Sequence, residues 1–306
     1  MHWGRIEGTP WSPPHGIRRA GPWSDCSVHE RRIAVVTGTS GRVGTAVATA
    51  LGAAGWMVRG VDRVAGPRTG VVGDLRDAEA RRGVLRGADL LVHAAALHAP
   101  HVGRVDDREF RAVNVDVTEA LLDEADRVGV GRVVYISSTS VYGSALVPTD
   151  RAVWVDEGLE PRPRDIYDET KLAAERLVGS AVMSSVVLRI ARCFPEPLPV
   201  LATHFLHRAV ALEDVAAAVV AVAEPSAPAG TFNIAGPFPF TRADCVELHV
   251  DAAGLIAARL PEVASVFRVR NWTLPRTIDR VYDSRAAVEA FGYHPVHGIR
   301  ELLGLH

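Results

Sequence analysis

Lysine is nearly missing from this chain, and glutamine is missing altogether. Of 34 basic residues among 306, Lys171 is the single lysine and the rest are arginine. Ala, Gly, Val and Arg dominate, as a GC-rich bacterial genome would impose. Against that bias, a surviving lysine marks a place where a planar guanidinium cannot replace a compact ammonium. Cysteine is scarce too. Cys26, Cys193 and Cys245 are odd in number, far apart and without CxxC spacing, which excludes a disulfide framework and gives no zinc site. A reducing cytoplasm is therefore the expected compartment. No uninterrupted apolar run reaches the roughly 18 residues of a membrane span. The net charge of −2 lacks the basic excess of a nucleic-acid or membrane-surface binder. What is present is apolar: 48% of the residues. At this length a chain buries roughly three quarters of its unfolded surface without help from a metal or staple. One large domain or two intimate ones are expected.

Residues 1–31 differ from the rest. They hold Trp3, Trp11 and Trp23, and Pro10, Pro13, Pro14 and Pro22, with no periodic apolar pattern. The segment lacks the apolar stretch of a secretory signal and the amphipathic helix of a transit peptide. It reads as a disordered or loosely docked tail. A non-native extension is the alternative, since Val28 stands five residues before the first strand and a GTG start there would give a compact protein.

From Arg32 onward short apolar runs alternate with amphipathic segments, the βαβ pattern of a parallel sheet between helices. Strands are predicted at 33–37, 56–61, 70–72, 89–93, 132–137, 184–190 and 231–234. Helices are predicted at 43–54, 77–87, 107–128, 165–180 and 212–224. The fold class is thus α/β, a Rossmann-type doubly wound parallel sheet with a small C-terminal substrate-binding cap. The dinucleotide-binding domain would span 32–190, with returning segments near 212–235 and 279–285, and residues 191–306 would supply mainly the cap.

Four motifs carry chemistry. At the first strand-to-helix junction, Gly38-Thr39-Ser40-Gly41-Arg42-Val43-Gly44 has GxxGxxG spacing. Glycines there let the backbone turn tightly and approach a pyrophosphate, and the helix N-terminus offers free N–H groups to it. Asp62, at the end of the second strand, can accept bonds from adenosine ribose hydroxyls and repel a 2′-phosphate, which favours NAD. Arg42 and Arg63 could instead pair with that phosphate, so NADP stays open. Asp74 and Leu75 are placed for the adenine. Small Ala94, Ala95 and Ala96 let a cofactor lie close to the backbone. Tyr167 and Lys171 stand i and i+4 on one helix face. A nearby ammonium and an oxidised nicotinamide both favour the phenolate of a tyrosine whose free pKa is about 10. The hydroxyl run Ser137-Ser138-Thr139-Ser140 leaves the fifth strand at the edge where such sheets bind ligands, and a hydroxyl there can hold the reacting oxygen.

Together these motifs resemble the extended short-chain dehydrogenase/reductase superfamily, specifically its NAD-dependent epimerase/dehydratase group acting on sugars. The likeness covers about residues 32–306. It includes VHAAA at 92–96, Asn114-Val115, SSTSVYG at 137–143, Leu188-Arg189, HRAVALEDV at 207–215, Phe232-Asn233 and Arg280-Val-Tyr-Asp283. The resemblance implies an oxidoreductase or epimerase that oxidises a secondary hydroxyl of a sugar-like small molecule. Tyr167 would be the acid/base, Lys171 its partner and holder of the cofactor ribose, and Ser138, four residues before Tyr142, the hydroxyl that orients the substrate. Asn114, Ser137 and Cys193 would join the cofactor site, and the resemblance also suggests a homodimer. A sugar dehydrogenase or ketoreductase with net cofactor turnover is the alternative, and a non-catalytic dinucleotide sensor a further one.

Departures narrow this. Sugar 4,6-dehydratases of the group typically carry Thr-Asp-Glu before VYG. Here Ser138-Thr139-Ser140 has no carboxylate, which disfavours dehydration. Arg192 stands where asparagine is usual, and the run Arg192–Pro197 looks closer to the short uronate-dehydrogenase branch. Thr139, Ser140, Arg192, His204 and Arg208 are the candidate substrate contacts. Arg192 or Arg208 could take an anionic group or form a structural ion pair. The short cap favours a compact sugar, cyclitol or sugar-derived substrate. His98 and His101 form an HxxH on a loop without a carboxylate or thiol cluster, so a pocket rim is expected there and no metal.

Overall fold

The computed structural model describes residues 32–305. The expectations for residues 1–31, including Cys26, lie outside that range. The run Ile33-Ala-Val-Val-Thr37 is apolar without alternation because both its faces are covered, as in any central parallel strand. It forms β1 (Ile33–Thr37). There follow α1 (Arg42–Ala53), β2 (Met57–Asp62), β3 (Val71–Val72), α2 (Ala78–Leu85) and β4 (Leu90–His93). Next come α3 (Asp107–Arg111), α4 (Val117–Val128), β5 (Arg132–Ser138), β6 (Val153–Val155), α5 (Ile166–Gly179) and β7 (Ser184–Ile190). The C-terminal part contains α6 (Leu198–His204), α7 (Leu212–Ala223), β8 (Gly230–Ile234), α8 (Cys245–Arg259), α9 (Pro261–Val269), β9 (Arg280–Tyr282), α10 (Arg285–Phe291) and α11 (Ile299–Leu303).

Seven strands make one parallel sheet in the order β3-β2-β1-β4-β5-β7-β8. The connections run outward in both directions from the β1–β4 pair. That is the switch point of a doubly wound sheet, where a crevice opens at the strand C-termini. One face is sealed by α1 and α7, whose Val47, Leu51, Val215 and Val219 are fully buried against Val36 and Val92. The other is sealed by α2, α4 and α5 through Val84, Leu121, Ala125 and Val178 against Val35, Leu91 and Val133. A third apolar cluster lies in the C-terminal part, where Leu248, Ile256, Val263, Phe267 and Leu303 pack with Val281.

Two features depart from the sequence expectation. The single helix expected over 107–128 is interrupted by a π-type turn at Ala112–Asp116. Such widened turns re-aim side chains. This one buries Asn114, whose amide brackets the loop after β4 by accepting from Leu97 N (2.8 Å) and donating to Leu97 O (2.9 Å). The second is a separate two-stranded parallel sheet, β6 with β9, which joins residues 153–155 to 280–282. Three-residue strands are too short to show a period in sequence.

Candidate active site

A cleft of about 1070 Å³ opens at the C-terminal ends of β1, β4, β5 and β7. Its first wall is the turn between β1 and α1. Gly38 sits at φ +75°, and a Cβ there would meet Ala95 N at 2.8 Å, so the turn and the Ala94–Ala96 strand end can approach only without a side chain. A Cβ at Gly44 would run into the Gly38 carbonyl. No side chain caps the N-terminus of α1, which leaves its first-turn amides free to meet an anion. The turn thus has the shape of an anion-binding cradle, one that a side chain at Gly38 or Gly44 would fill.

Asp62 forms the far edge. Its Oδ2 accepts from Ser40 N (3.1 Å) and its Oδ1 from Val64 N (3.2 Å), so the carboxylate is fixed beside the turn. Arg42 turns the other way and donates to the Cys193 carbonyl (2.8 Å). Arg63 lines the cleft, as do Asp74 and Leu75, and Arg76 binds the Asp74 carboxylate at 2.6 Å.

The floor is built by β5 and α5. Asp165 caps α5 by accepting from Asp168 N (3.0 Å), and the helix then turns Tyr167 and Lys171 inward, 9% and 3% exposed. Lys171 Nζ donates to the Ile136 carbonyl (2.7 Å) and the Tyr135 hydroxyl (3.1 Å), and it lies over the Tyr135 ring. Burial pulls its ammonium down to about 7, with Glu175 opposing. Burial pushes the Tyr167 phenol well above its usual range. The Ser138 hydroxyl pulls it back, and Asp168, Cys193 and Asp165 push it further up. Tyr167 therefore rests as the neutral phenol, a proton donor, and Ser138 is the neighbour that favours its ionised form.

Behind the floor lies a buried polar network. Glu175 accepts from Ser137 Oγ and forms an ion pair with Arg189 at 2.7 Å, with side chains 6% and 9% exposed. Arg189 also donates to the Tyr142 hydroxyl (3.1 Å), which donates to Asn233 Oδ1 (2.8 Å). These bonds lock the C-terminal ends of β5, β7 and β8, from which the cleft residues project. They give Leu188-Arg189 and Phe232-Asn233 a supporting role beneath the site. His93 is buried between Thr37 and Thr118, and burial lowers it to about 3, so its ring is a neutral strut.

The opposite end of the cleft is charged. Glu196 takes Arg192 in a two-pronged pair (3.0 and 2.5 Å) and accepts from His204 Nδ1 at 2.7 Å. Arg208 reaches His204 Nε2 at 2.7 Å. A guanidinium can only donate, so Nε2 is the acceptor and the His204 proton sits on Nδ1, against Glu196. Arg208 has no carboxylate within salt-bridge reach among the described residues, and its Nε, like that of Arg280, is buried without a partner. Burial lowers the guanidinium; Asp279 opposes this and Arg280 and Arg192 add to it.

The cleft thus gathers nearly every residue expected from the sequence, from Gly38 to Arg208. Two do not line it. Thr39 is fully buried, with its carbonyl accepting from Thr45, and Asn114 spends its amide on Leu97 and Thr170. Sequence reasoning missed Glu196, Arg164 and Arg280 as wall residues. Arg280 and Glu196 had a signal, since Arg280-Val-Tyr-Asp283 and the run Arg192–Pro197 stand out in the chain; Arg164 had none. His98 and His101 stack edge to face at 4.6 Å, and His101 Nδ1 accepts from His98 N (3.1 Å), which closes the loop upon itself.

Comparison with known proteins agrees with this geometry. Residues 34–196 match the model of the NAD dependent epimerase/dehydratase family. A 3-beta-hydroxysteroid dehydrogenase from Mycolicibacterium neoaurum is 35% identical over 156 residues, 47% of this chain and 42% of the relative, so the chain matches less than half of that protein's length. A short-chain dehydrogenase/reductase superfamily protein from Agrobacterium tumefaciens, solved with bound NAD, superposes with a TM-score of 0.67 at 23% identity, over 89% of this chain and 95% of that one. MoeE5, solved with UDP-glucose and NAD, superposes with a TM-score of 0.65 at 25% identity, over 89% of this chain and 96% of that one. With the family model matched over more than half its length, and the glycine cradle, Tyr167 and Lys171 in one cleft, the chain belongs to the NAD dependent epimerase/dehydratase family.

Proposed function

We propose that this chain is an NAD-dependent enzyme that oxidises a secondary hydroxyl of a sugar-like substrate, with epimerisation as its net reaction. The observation that carries the reading is the meeting of Ser138, Tyr167 and Lys171 on the floor of a cleft whose other wall is the glycine cradle. The cradle and the first turn of α1 would hold the diphosphate of NAD, Asp62 its adenosine ribose, and Asp74 and Leu75 the adenine. When bound, NAD supplies a hydride acceptor. Ser138 and Tyr167 would hold the substrate hydroxyl; positive charge at the site would first draw the Tyr167 phenol proton off to solvent, and the phenolate so formed would take the substrate hydroxyl's proton. Lys171 supplies part of that charge only while protonated, and burial makes this sensitive to pH near neutrality. Ser138-Thr139-Ser140 brings no carboxylate for eliminating water, which argues against dehydration. A sugar dehydrogenase with net cofactor turnover is the second reading, favoured by the Arg192–Pro197 run.

The two are separated by denaturing the purified protein and identifying the nucleotide released. Near-stoichiometric NAD means a cofactor that is recycled in place, as an epimerase requires; an empty protein means one exchanged at each turnover. NADP would overturn the role given to Asp62. Asp62→Ala should lower the preference for NAD over NADP by about tenfold, the weight of one charge-assisted bond of roughly 1.5 kcal/mol, measured as the ratio of the two dissociation constants. An unchanged ratio would remove Asp62 from the ribose.

Arg208 gives the substrate its charge in this reading. A partly buried guanidinium without a carboxylate partner is costly, and a carboxylate or phosphate on the substrate would supply the missing one. Arg208→Met is expected to raise KM for an anionic substrate by roughly 10–100-fold, with kcat changed far less, as for loss of one charged hydrogen bond. Equal effects on neutral and anionic sugars would dispose of the anion site. A homodimer is part of the proposal as well. No large exposed hydrophobic residue falls on α4 or α5, so such an interface would be polar there. Light scattering decides it.

A further inference from the structure

We infer that residues Cys193–Glu196 form a latch over the NAD cradle, held shut by Arg42 from one side and His98 from the other. The inference rests on the assignment of the cradle to NAD. The segment is tethered at both ends. Before it, the Arg192 backbone pairs with 208 and 210 (3.1 and 3.0 Å); after it, Pro197 opens α6. Between these anchors, Cys193, Phe194, Pro195 and Glu196 make no backbone-to-backbone hydrogen bond among the described residues. Pro195 has no N–H to offer, and it keeps Phe194 extended.

Glu196 is pinned at the far end by Arg192 and His204 and serves as the hinge; Cys193 and Phe194 are held by a pair of contacts across the mouth of the cleft. Arg42, the first residue of α1, donates to the Cys193 carbonyl at 2.8 Å. Phe194 stacks on His98, in the loop after β4, with ring centres 6.2 Å apart and planes 24° apart. Arg42 and His98 belong to the two walls between which the cofactor would lie, so the segment bridges the opening. Both contacts are exposed and modest, of a size to open and close.

There is also somewhere for the span to go. Arg42, Arg192, Cys193, Phe194, Pro195 and Glu196 line a second cavity of about 430 Å³, backed by Leu201, Phe205, Val210 and Leu302. The same residues line the main cleft. The span is therefore a partition with space on both sides. Breaking its two contacts lets Cys193–Pro195 swing toward the second cavity about the Glu196 hinge, at the cost of the packing that Cys193 makes on the core.

A latch makes a kinetic statement that a direct contact does not. A group that only touches the nucleotide, once removed, raises the rate of release and leaves entry unchanged. A latch gates both directions, because entry needs the open form too. The test is stopped-flow binding and displacement of NADH on the full chain, for wild type, Arg42→Met, Phe194→Ala and the double variant, with thermal melting to confirm that each is folded. Entry and release should both rise about tenfold in each single variant, and the dissociation constant should move less than threefold. The double variant should be faster than either single one, up to the rate of a fully open span, since both contacts stabilise the same closed form. Faster release with unchanged entry in Arg42→Met would overturn the latch and leave Arg42 as an ordinary nucleotide contact. Failure of the wild type to bind NADH would overturn the cradle assignment and the latch with it.

Discussion

Tyr167→Phe is expected to lower kcat by roughly 10²–10⁴-fold, the contribution of a positioned proton-transfer group, while the dissociation constant for NAD changes less than twofold. The substitution keeps the buried ring and removes one oxygen. Lys171, Ser138 and Cys193 cannot replace it. Lys171 is tied to the Ile136 carbonyl and Tyr135, and the Ser138 hydroxyl accepts from Ser140 N at 3.1 Å. The Cys193 thiol is held protonated by burial. The measurement pairs turnover with NAD affinity, because a tyrosine that merely shaped the pocket would disturb both. Retained turnover in the variant would sink the acid/base assignment outright.

Glu175→Ala should be the most damaging single change to stability, by about 3–5 kcal/mol, the cost of stranding one member of a buried ion pair. Arg189 would keep a buried positive charge with only the Tyr142 hydroxyl to answer it, and Ser137 would lose its acceptor. Replacing both Glu175 and Arg189 with methionine should recover most of the loss, since a well-packed apolar pair is often as stable as the ions it replaces. Urea denaturation of the single and double variants reads this directly. A loss below about 1 kcal/mol for Glu175→Ala would mean that water reaches the pair and that the network does not fix the strand ends.

The sheet was legible because its strands are buried on both faces and stand out as apolar runs. Strand and helix ends fell within one or two residues of expectation for β1, β5, β7 and α7. The cradle was legible for a related reason. Gly38 and Gly44 are steric necessities, and a necessity at fixed spacing is visible in a sequence. The charged end was not. Arg192, His204 and Arg208 were picked out singly, but Glu196, which binds two of them, has no spacing signature. Arg192 lies four residues before it in an irregular stretch where that spacing carries no periodic meaning, and His204 reaches it only because α6 folds back. Lys171 was noticed through its rarity, but its place against Tyr135 depends on the register between α5 and β5. The interruption at Ala112–Asp116 was hidden because a π-type turn inserts no helix-breaking residue.

The pairing of β6 with β9 has a consequence for how the molecule is made. Val153–Val155 has no other strand partner, and the one it has lies about 125 residues later in the chain. A ribosome adding roughly 5–20 residues per second takes about 6–25 s to cover that distance. By the end of that interval β1 to β8 have been synthesised, with Ser138, Tyr167, Lys171, Arg192 and Arg208 all in the chain. Arg280 arrives in the same strand that closes the pair. The nascent chain therefore holds the glycine turn and the proposed proton-transfer residues well before it holds the Arg280 wall of the cleft. A chain stalled before residue 280 would have the glycine turn and Tyr167 but a cleft open on the side that Arg280 and Tyr282 line.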